Sequence, residues 1–111
     1  MGLKADSVRA AIYLGEALLG TRNAVAAREE LDTALGRAEK LGLQVEQARA
    51  QYLLGTALTN SGKAKEAVPH YREAVRILES ISKQDGATRV LERSDLKDIY
   101  RQAAQAYQGG A

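Results

Sequence analysis

The sequence contains no cysteine, no tryptophan and no phenylalanine, and only one proline. Without cysteine, disulfides, thiol catalysis and thiolate-bound metals are excluded, and the chain suits a reducing compartment. Aromatic residues make up 5% of the chain; with β-branched residues also sparse, this weighs against a sheet. A single proline leaves almost the whole chain free to be helical. No apolar run approaches the roughly 18 residues that a membrane span needs. The start, Met1-Gly2-Leu3-Lys4-Ala5-Asp6, lacks the architecture of a signal peptide, so a cytoplasmic protein is expected, with no membrane partner. Charge of one sign is scarce as well: 16 Lys and Arg against 14 Asp and Glu leave a net +2. Nucleic-acid recognition rests on a clustered basic face, so it is not expected here. Nothing resembles G-x-x-x-x-G-K-[ST], so no phosphate loop and no cofactor are expected.

What is present is ordinary for a soluble globular chain. Hydrophobic residues are 45% and charged residues 27% of 111 residues, one domain's worth. Ala, Leu, Glu, Arg and Gln are abundant, which favours helix.

Shifted by forty residues, the sequence matches itself. Leu14-Gly15 falls on Leu54-Gly55, Ala17-Leu18 on Ala57-Leu58, and Ala24, Ala27 and Ala34 on Ala64, Ala67 and Ala74. Arg9-Ala10 falls on Arg49-Ala50, and Gly2-Leu3 on Gly42-Leu43. Identity at a fixed period marks a stacked repeat. Each copy reads as two helices. In the first, Val8, Ala11, Ile12, Gly15, Leu18 and Leu19 recur at helical spacing after an N-cap at Asp6 or Ser7. Thr21-Arg22-Asn23 breaks the run, a second stripe follows from Ala24 to Leu41, and Gly42 ends it as a left-handed C-cap. The second copy has a helix from about Val45 to Leu58, a turn at Asn60-Ser61-Gly62, and a helix that continues through Pro69 to about Ile81. A fifth helix is expected from about Ala87 to Gln108, with Ser94-Asp95 as an alternative N-cap. The forty-residue match fails there, so this helix reads as the terminal cap that a solenoid needs. Repeat one thus spans about 6–42, repeat two about 43–84 and the capping helix about 87–108 of a single domain over 1–111.

Both copies resemble the tetratricopeptide repeat, whose pattern is W-x2-L-G-x2-Y, then A-x3-F, then a further Ala and a Pro. Leu14-Gly15-x2-Leu18 and Leu54-Gly55-x2-Leu58 match the first block, Ala27-x3-Leu31 and Ala67-x3-Tyr71 the second, and Ala34 and Ala74 the next small position. Ala11 and Gln51 stand in place of the Trp, Glu39 and Glu79 in place of the Pro. The forty-residue period is longer than the usual 34 or so, as in long-helix variants of bacterial signalling and regulatory proteins. The resemblance implies an all-α fold: two antiparallel helix hairpins and a C-terminal capping helix, forming a right-handed superhelical α-solenoid. Gly15, Ala27, Gly55 and Ala67 would let paired helices approach, and Leu31 and Tyr71 would fill the space between hairpins.

The resemblance also implies that the first helix of each hairpin lines a concave groove. Its lining would be Arg9, Ile12, Glu16, Arg49, Tyr52, Thr56, Arg89, Glu92 and Arg93. Arg9, Arg49 and Arg89 could stack into a basic ladder for the carboxylates of an acidic partner segment, or could be solvated arginines in weak surface pairs. Ile12 and Tyr52 would form an apolar floor beside the arginines, or be plain core. Ile12, Glu16 and Leu53 stand where the family's clamp for C-terminal carboxylates has Lys and Asn, so that clamp is not expected. His70 is the only histidine; with no second His and no Cys, neither metal binding nor catalysis is expected of it. Glu66 and Glu73 lie one turn to either side of it, which suggests an ion pair on the helix surface. Adjacent carboxylates such as Glu29-Glu30 project about 100° apart on a helix and make a poor acid–base pair.

The expected function is therefore non-enzymatic: a module that binds a protein or peptide partner in its groove. The alternative is a regulatory or dimerisation domain of a larger, enzymatic bacterial signalling protein, with which a homodimer is compatible. Gly2-Leu3 aligns with the repeat junction at Gly42-Leu43, as the start of a piece of a longer repeat array would.

Overall fold

The computed structural model describes residues 3–84 and 94–109, with side chains over 5–84 and 96–106. Its helices are α1 (Leu3–Gly20), α2 (Ala24–Leu41), α3 (Gln44–Asn60), α4 (Ala64–Gln84) and α5 (Ser94–Gly109). No strand occurs among the described residues, and no described helix is long and apolar enough to cross a membrane. The stretch before Ser94, where the sequence suggests that the fifth helix begins, lies outside the described residues.

The first three connections share one construction. Left-handed backbone occurs at Arg22, Gly42 and Gly62, with φ of 62°, 69° and 77°. At each, the left-handed residue's N–H donates to the carbonyl three residues back, and the next N–H reaches five back. The second bond is Asn23 to Leu18 at 2.8 Å, Leu43 to Ala38 at 2.9 Å and Lys63 to Leu58 at 2.8 Å. These six-residue closures satisfy carbonyls that the helix end leaves open. Glycine takes the left-handed shape freely, whereas Arg22 carries a cost of about 1–2 kcal/mol. Asn23 then caps α2, its Oδ1 accepting from the Ala26 N–H at 3.4 Å.

One boundary expectation changes. The first helix begins at Leu3, so Asp6 lies in its first turn and is not the N-cap; there the carboxylate favours the positive end of the helix dipole. Helix α4 runs through Pro69, as the sequence suggests. Pro69 and Lys65 are both exposed, so the Lys65 carbonyl left without its N–H partner faces water, and the loss is small.

Consecutive helices pack in pairs, α1 with α2 and α3 with α4, and α2 stacks on α3 while α5 covers α4. α1 also touches α3, and α3 touches α5, but α2 and α4 do not meet. The layer of α1, α3 and α5 is thus closed and the layer of α2 and α4 is splayed, which makes the first layer the concave side. The molecule measures 41 × 38 × 22 Å, its thin dimension being two helix diameters of about 10–12 Å.

Three apolar clusters fill the seams. The first gathers Val8, Ile12, Leu31, Leu53 and Leu54 with small alanines. The second holds Ile77, Leu78 and Ile81 with Leu96 and Ile99 of α5. The third joins Leu58 and Tyr71 to Ala103. Tyr52 packs against all three. A Cβ at Gly15 would lie 2.6 Å from Leu31 Cγ, and one at Gly55 would lie 2.8 Å from the Tyr71 ring. Leu31 and Tyr71 therefore lie across the glycine of their own hairpin, and do not serve only as filling between hairpins.

This geometry separates two glycines that a propensity scale treats alike. Gly15→Ala should destabilise the fold by about 1–3 kcal/mol through overpacking against buried Leu31, despite a helix-propensity gain of up to about 1 kcal/mol. Gly36 sits in mid-helix with nothing within 4 Å of its would-be Cβ, so Gly36→Ala should stabilise by about 0.5–1 kcal/mol. Urea unfolding of both variants checks this; shifts of the same sign would sink the assigned close contact.

Candidate functional site

The concave layer presents α1, α3 and α5 side by side, so a candidate site is built from whatever these helices leave open. Arg9 on α1 is exposed, but its Nε donates to Glu46 Oε1 of α3 at 3.0 Å and its Nη1 to Asp6 at 3.4 Å. Its guanidinium thus ties α1 to the first turn of α3, in a partly exposed pair of the kind worth about 0–1 kcal/mol. Arg49 is half-buried on α3. Arg89, Glu92 and Arg93 lie outside the described residues. Of the ladder suggested by the sequence, the described part holds Arg9 and Arg49, and Arg9 is already engaged with two carboxylates.

Ile12 is not a groove residue. It is 1% exposed, part of the core cluster between α1, α2 and α3. A branched aliphatic chain has no polar end to keep in water and sinks into the seam. Tyrosine at the equivalent position behaves differently, because its ring packs while its hydroxyl reaches out. Tyr52 is half-buried, with its ring 5.9 Å from that of Tyr71 and tilted by 55°. Its hydroxyl donates to Gln102 Oε1 on α5. Burial pushes the Tyr52 phenol above its ordinary pKa of 10.0, against a hydrogen bond with Thr56, and the fields of Tyr71, Glu16 and Asp98 add to the rise. The charged groups among the described residues whose fields raise it are thus carboxylates of α1 and α5. Thr56 is half-buried and donates to the Tyr52 carbonyl at 3.2 Å, and Glu16 is exposed.

Two residues of this face, Asp98 and Gln102, are absent from the sequence-based set because the forty-residue shift fails in α5. A shift of forty-six recovers the register: Ala50, Leu53, Leu54 and Ala57 then fall on Leu96, Ile99, Tyr100 and Ala103. The last helix repeats the stripe of α3 after a longer connection. It is held at its outer edge by Tyr100, whose hydroxyl donates to Glu79 of α4 at 2.8 Å. That bond, with burial and the Glu79 charge, raises the Tyr100 pKa.

His70 also differs from expectation. Its Nδ1 lies 2.8 Å from Gln51 Oε1 on α3, and since an amide oxygen only accepts, Nδ1 carries the proton. Glu73 pairs with Arg76 at 3.0 Å. Burial lowers the His70 pKa, outweighing the field of Asp32. The ring thus joins α4 to α3 rather than forming an ion pair on the helix surface.

Clefts elsewhere are lined by Ser7, Arg37, Lys40 and Leu41, with about 360 Å³ of space, and by Val25, Arg28, Glu29, Asp32, Ser61 and Lys63, with about 420 Å³. Neither lies on the concave side.

A family model described as tetratricopeptide repeat matches residues 6–80. Among solved structures, the crystal structure of the TPR domain of Arabidopsis FLU superposes with a TM-score of 0.68 at 20% identity, covering 96% of this chain and 93% of that one. At that identity the likeness speaks to the fold. No curated protein matches the sequence.

The two phenols that fasten α5 make its docking sensitive to alkali. Both hold the proton more tightly when folded, so their contribution is full below the unfolded pKa and lost as pH rises through the raised folded pKa. Stability should therefore fall above about pH 10, and the double variant Tyr52→Phe/Tyr100→Phe should lose most of that slope. Urea midpoints measured at about pH 9 and about pH 11 test this; an unchanged slope in the double variant would refute it.

Proposed function

Because the chain belongs to the tetratricopeptide repeat family, whose fold generally mediates protein–protein interaction, we propose that it is a non-catalytic binding module that takes a segment of a partner protein along the concave face of α1, α3 and α5. The observation that carries this reading is the character of that face. Behind it the apolar clusters are closed, and among the described residues no buried side-chain polar atom lacks a partner. In front, Glu16, Tyr52, Thr56 and Gln102 form a continuous polar and aromatic strip across three helices. A half-buried aromatic in a polar rim is a favourable anchor for a peptide.

The charges give the strip a direction. Arg9 and Arg49 lie toward the N-terminal ends of α1 and α3, while Glu16 and Asp98 border Tyr52. A suitable segment carries a neutral or basic residue over Tyr52, and an acidic residue at the arginine end competes with Asp6 and Glu46 for Arg9. The arginines steer the encounter, and the contact around Tyr52 holds the complex.

A peptide selected from a random library for binding to the full chain provides the test. Glu16→Arg and Thr56→Arg should weaken it at least about tenfold, as changes at a binding centre do. Arg49→Ala should mainly slow association and reduce its salt dependence, and Glu29→Arg on the outer face should have no effect. Tyr52→Ala is a poor probe, because that ring also packs into three core clusters. Loss of binding on altering Glu29, Arg37 or Arg72, with Glu16 and Thr56 indifferent, would move the site to the convex side and end this reading.

A further inference from the structure

Three helices carry the same stripe of four residues at i, i+3, i+4 and i+7: Ala10, Tyr13, Leu14 and Ala17 on α1; Ala50, Leu53, Leu54 and Ala57 on α3; Leu96, Ile99, Tyr100 and Ala103 on α5. On α3 the stripe is covered by α2, leaving Leu53 at 5% and Leu54 at 1% exposure. On α5 it is covered by α4, with Leu96, Ile99 and Ala103 buried. On α1 no described helix covers it: Tyr13 is 62% and Leu14 47% exposed, and Ala10 and Ala17 are exposed as well. The face that the fold twice uses for stacking is open once, on the first helix.

We propose that this α1 stripe is the interface of a two-fold dimer of the chain, in which α1 packs antiparallel on the α1 of a second copy. Three features favour a second copy as the occupant. The in-chain precedent is helix on helix at these same positions, so the stripe has the shape that a helix covers. The stripe is also palindromic, small–large–large–small. A two-fold axis midway between Tyr13 and Leu14 sets Tyr13 against the partner's Leu14 and Ala10 against the partner's Ala17. Large residues thus meet large ones and small meet small, with no charge inside the stripe, as an isologous contact requires. Head-to-tail stacking of copies, the competing arrangement, needs the open face of α4, and α5 already occupies it through Leu96, Ile99 and Ala103.

The helix is about 27 Å long at 1.5 Å per residue over 18 residues. One helix pair of that length sits at or below the low end of stable interfaces, which bury about 1,200–2,000 Å². A reversible dimer with a dissociation constant in the micromolar range is therefore expected.

Sedimentation equilibrium on the full chain from about 10 μM to about 1 mM, a range chosen for so small an interface, should show monomer and dimer only. Leu14→Asp and Tyr13→Asp should each raise the dissociation constant at least about tenfold with unchanged helical circular dichroism, since both residues are exposed. The absence of native cysteine allows a second readout: Leu14→Cys should cross-link to its copy under mild oxidation. Val25→Cys, more exposed than Leu14 but on α2 beside Ser61 and Lys63, should not. A wild type monomeric throughout, a dimer that survives Leu14→Asp, growth beyond the dimer, or equal cross-linking at Val25→Cys would each overturn the proposal.

Discussion

A large side chain laid across a glycine sets the spacing within each hairpin. Leu31 rests on the bare backbone of Gly15, and the Tyr71 ring on that of Gly55. A single methyl at either glycine would collide with a buried group, so the two helices stand as close as the seated side chain permits. That distance determines where Leu31 and its alanine neighbours meet α3, and hence how α2 stacks on the next hairpin. The closed inner layer and the splayed outer layer follow from it, and with them the concave trough. Tyr71 has a second consequence. Its ring supports Tyr52, and Tyr52 in turn reaches Gln102, so the seat inside the second hairpin extends to the last helix.

Much of this was legible because it is repeated. A device used twice in one chain, such as Gly15 with Ala27 and Gly55 with Ala67, leaves the same letters at the same offset. The left-handed cap at Gly42 was legible for a local reason, since glycine at the end of an apolar stripe has a well-defined conformational use. The equivalent left-handed position at Arg22 was not, because arginine carries no such signal and only the register of the turn imposes the shape. Ile12 misled because periodicity identifies a face without saying how deep a residue on it lies. An isoleucine and a tyrosine at equivalent positions obey the same period, yet one sinks and the other spans from core to surface. His70 misled because neighbours along a helix are visible in sequence, whereas Gln51, its actual partner, comes from another helix. The contribution of α5 escaped because its connection departs from the forty-residue spacing, although its stripe preserves the pattern of α3.

The two ends of the stack are treated differently. At the C-terminal end, Leu96, Ile99 and Ala103 close the apolar face of α4, and the hydroxyls of Tyr100 and Tyr52 fasten the closure with directional bonds. At the other end, α1 shows the uncovered version of the same surface. The concave trough is a third surface, polar where the ends are apolar. One chain thereby carries an apolar stacking face and a polar concave face that adjoin along α1, where Tyr13 lies four residues after Arg9 and three before Glu16.

The three turns at Arg22, Gly42 and Gly62 recur every twenty residues or so, and each is closed by bonds spanning at most six residues. Among the described residues every helix contact consequently joins helices adjacent or next to adjacent along the chain, which keeps contact order low. Closing such short loops loses little chain entropy, so the folding barrier has no long-range pairing to wait for. Folding in microseconds to milliseconds is the regime for such topologies. Either hairpin can act as the nucleus, with the other growing onto it as a template.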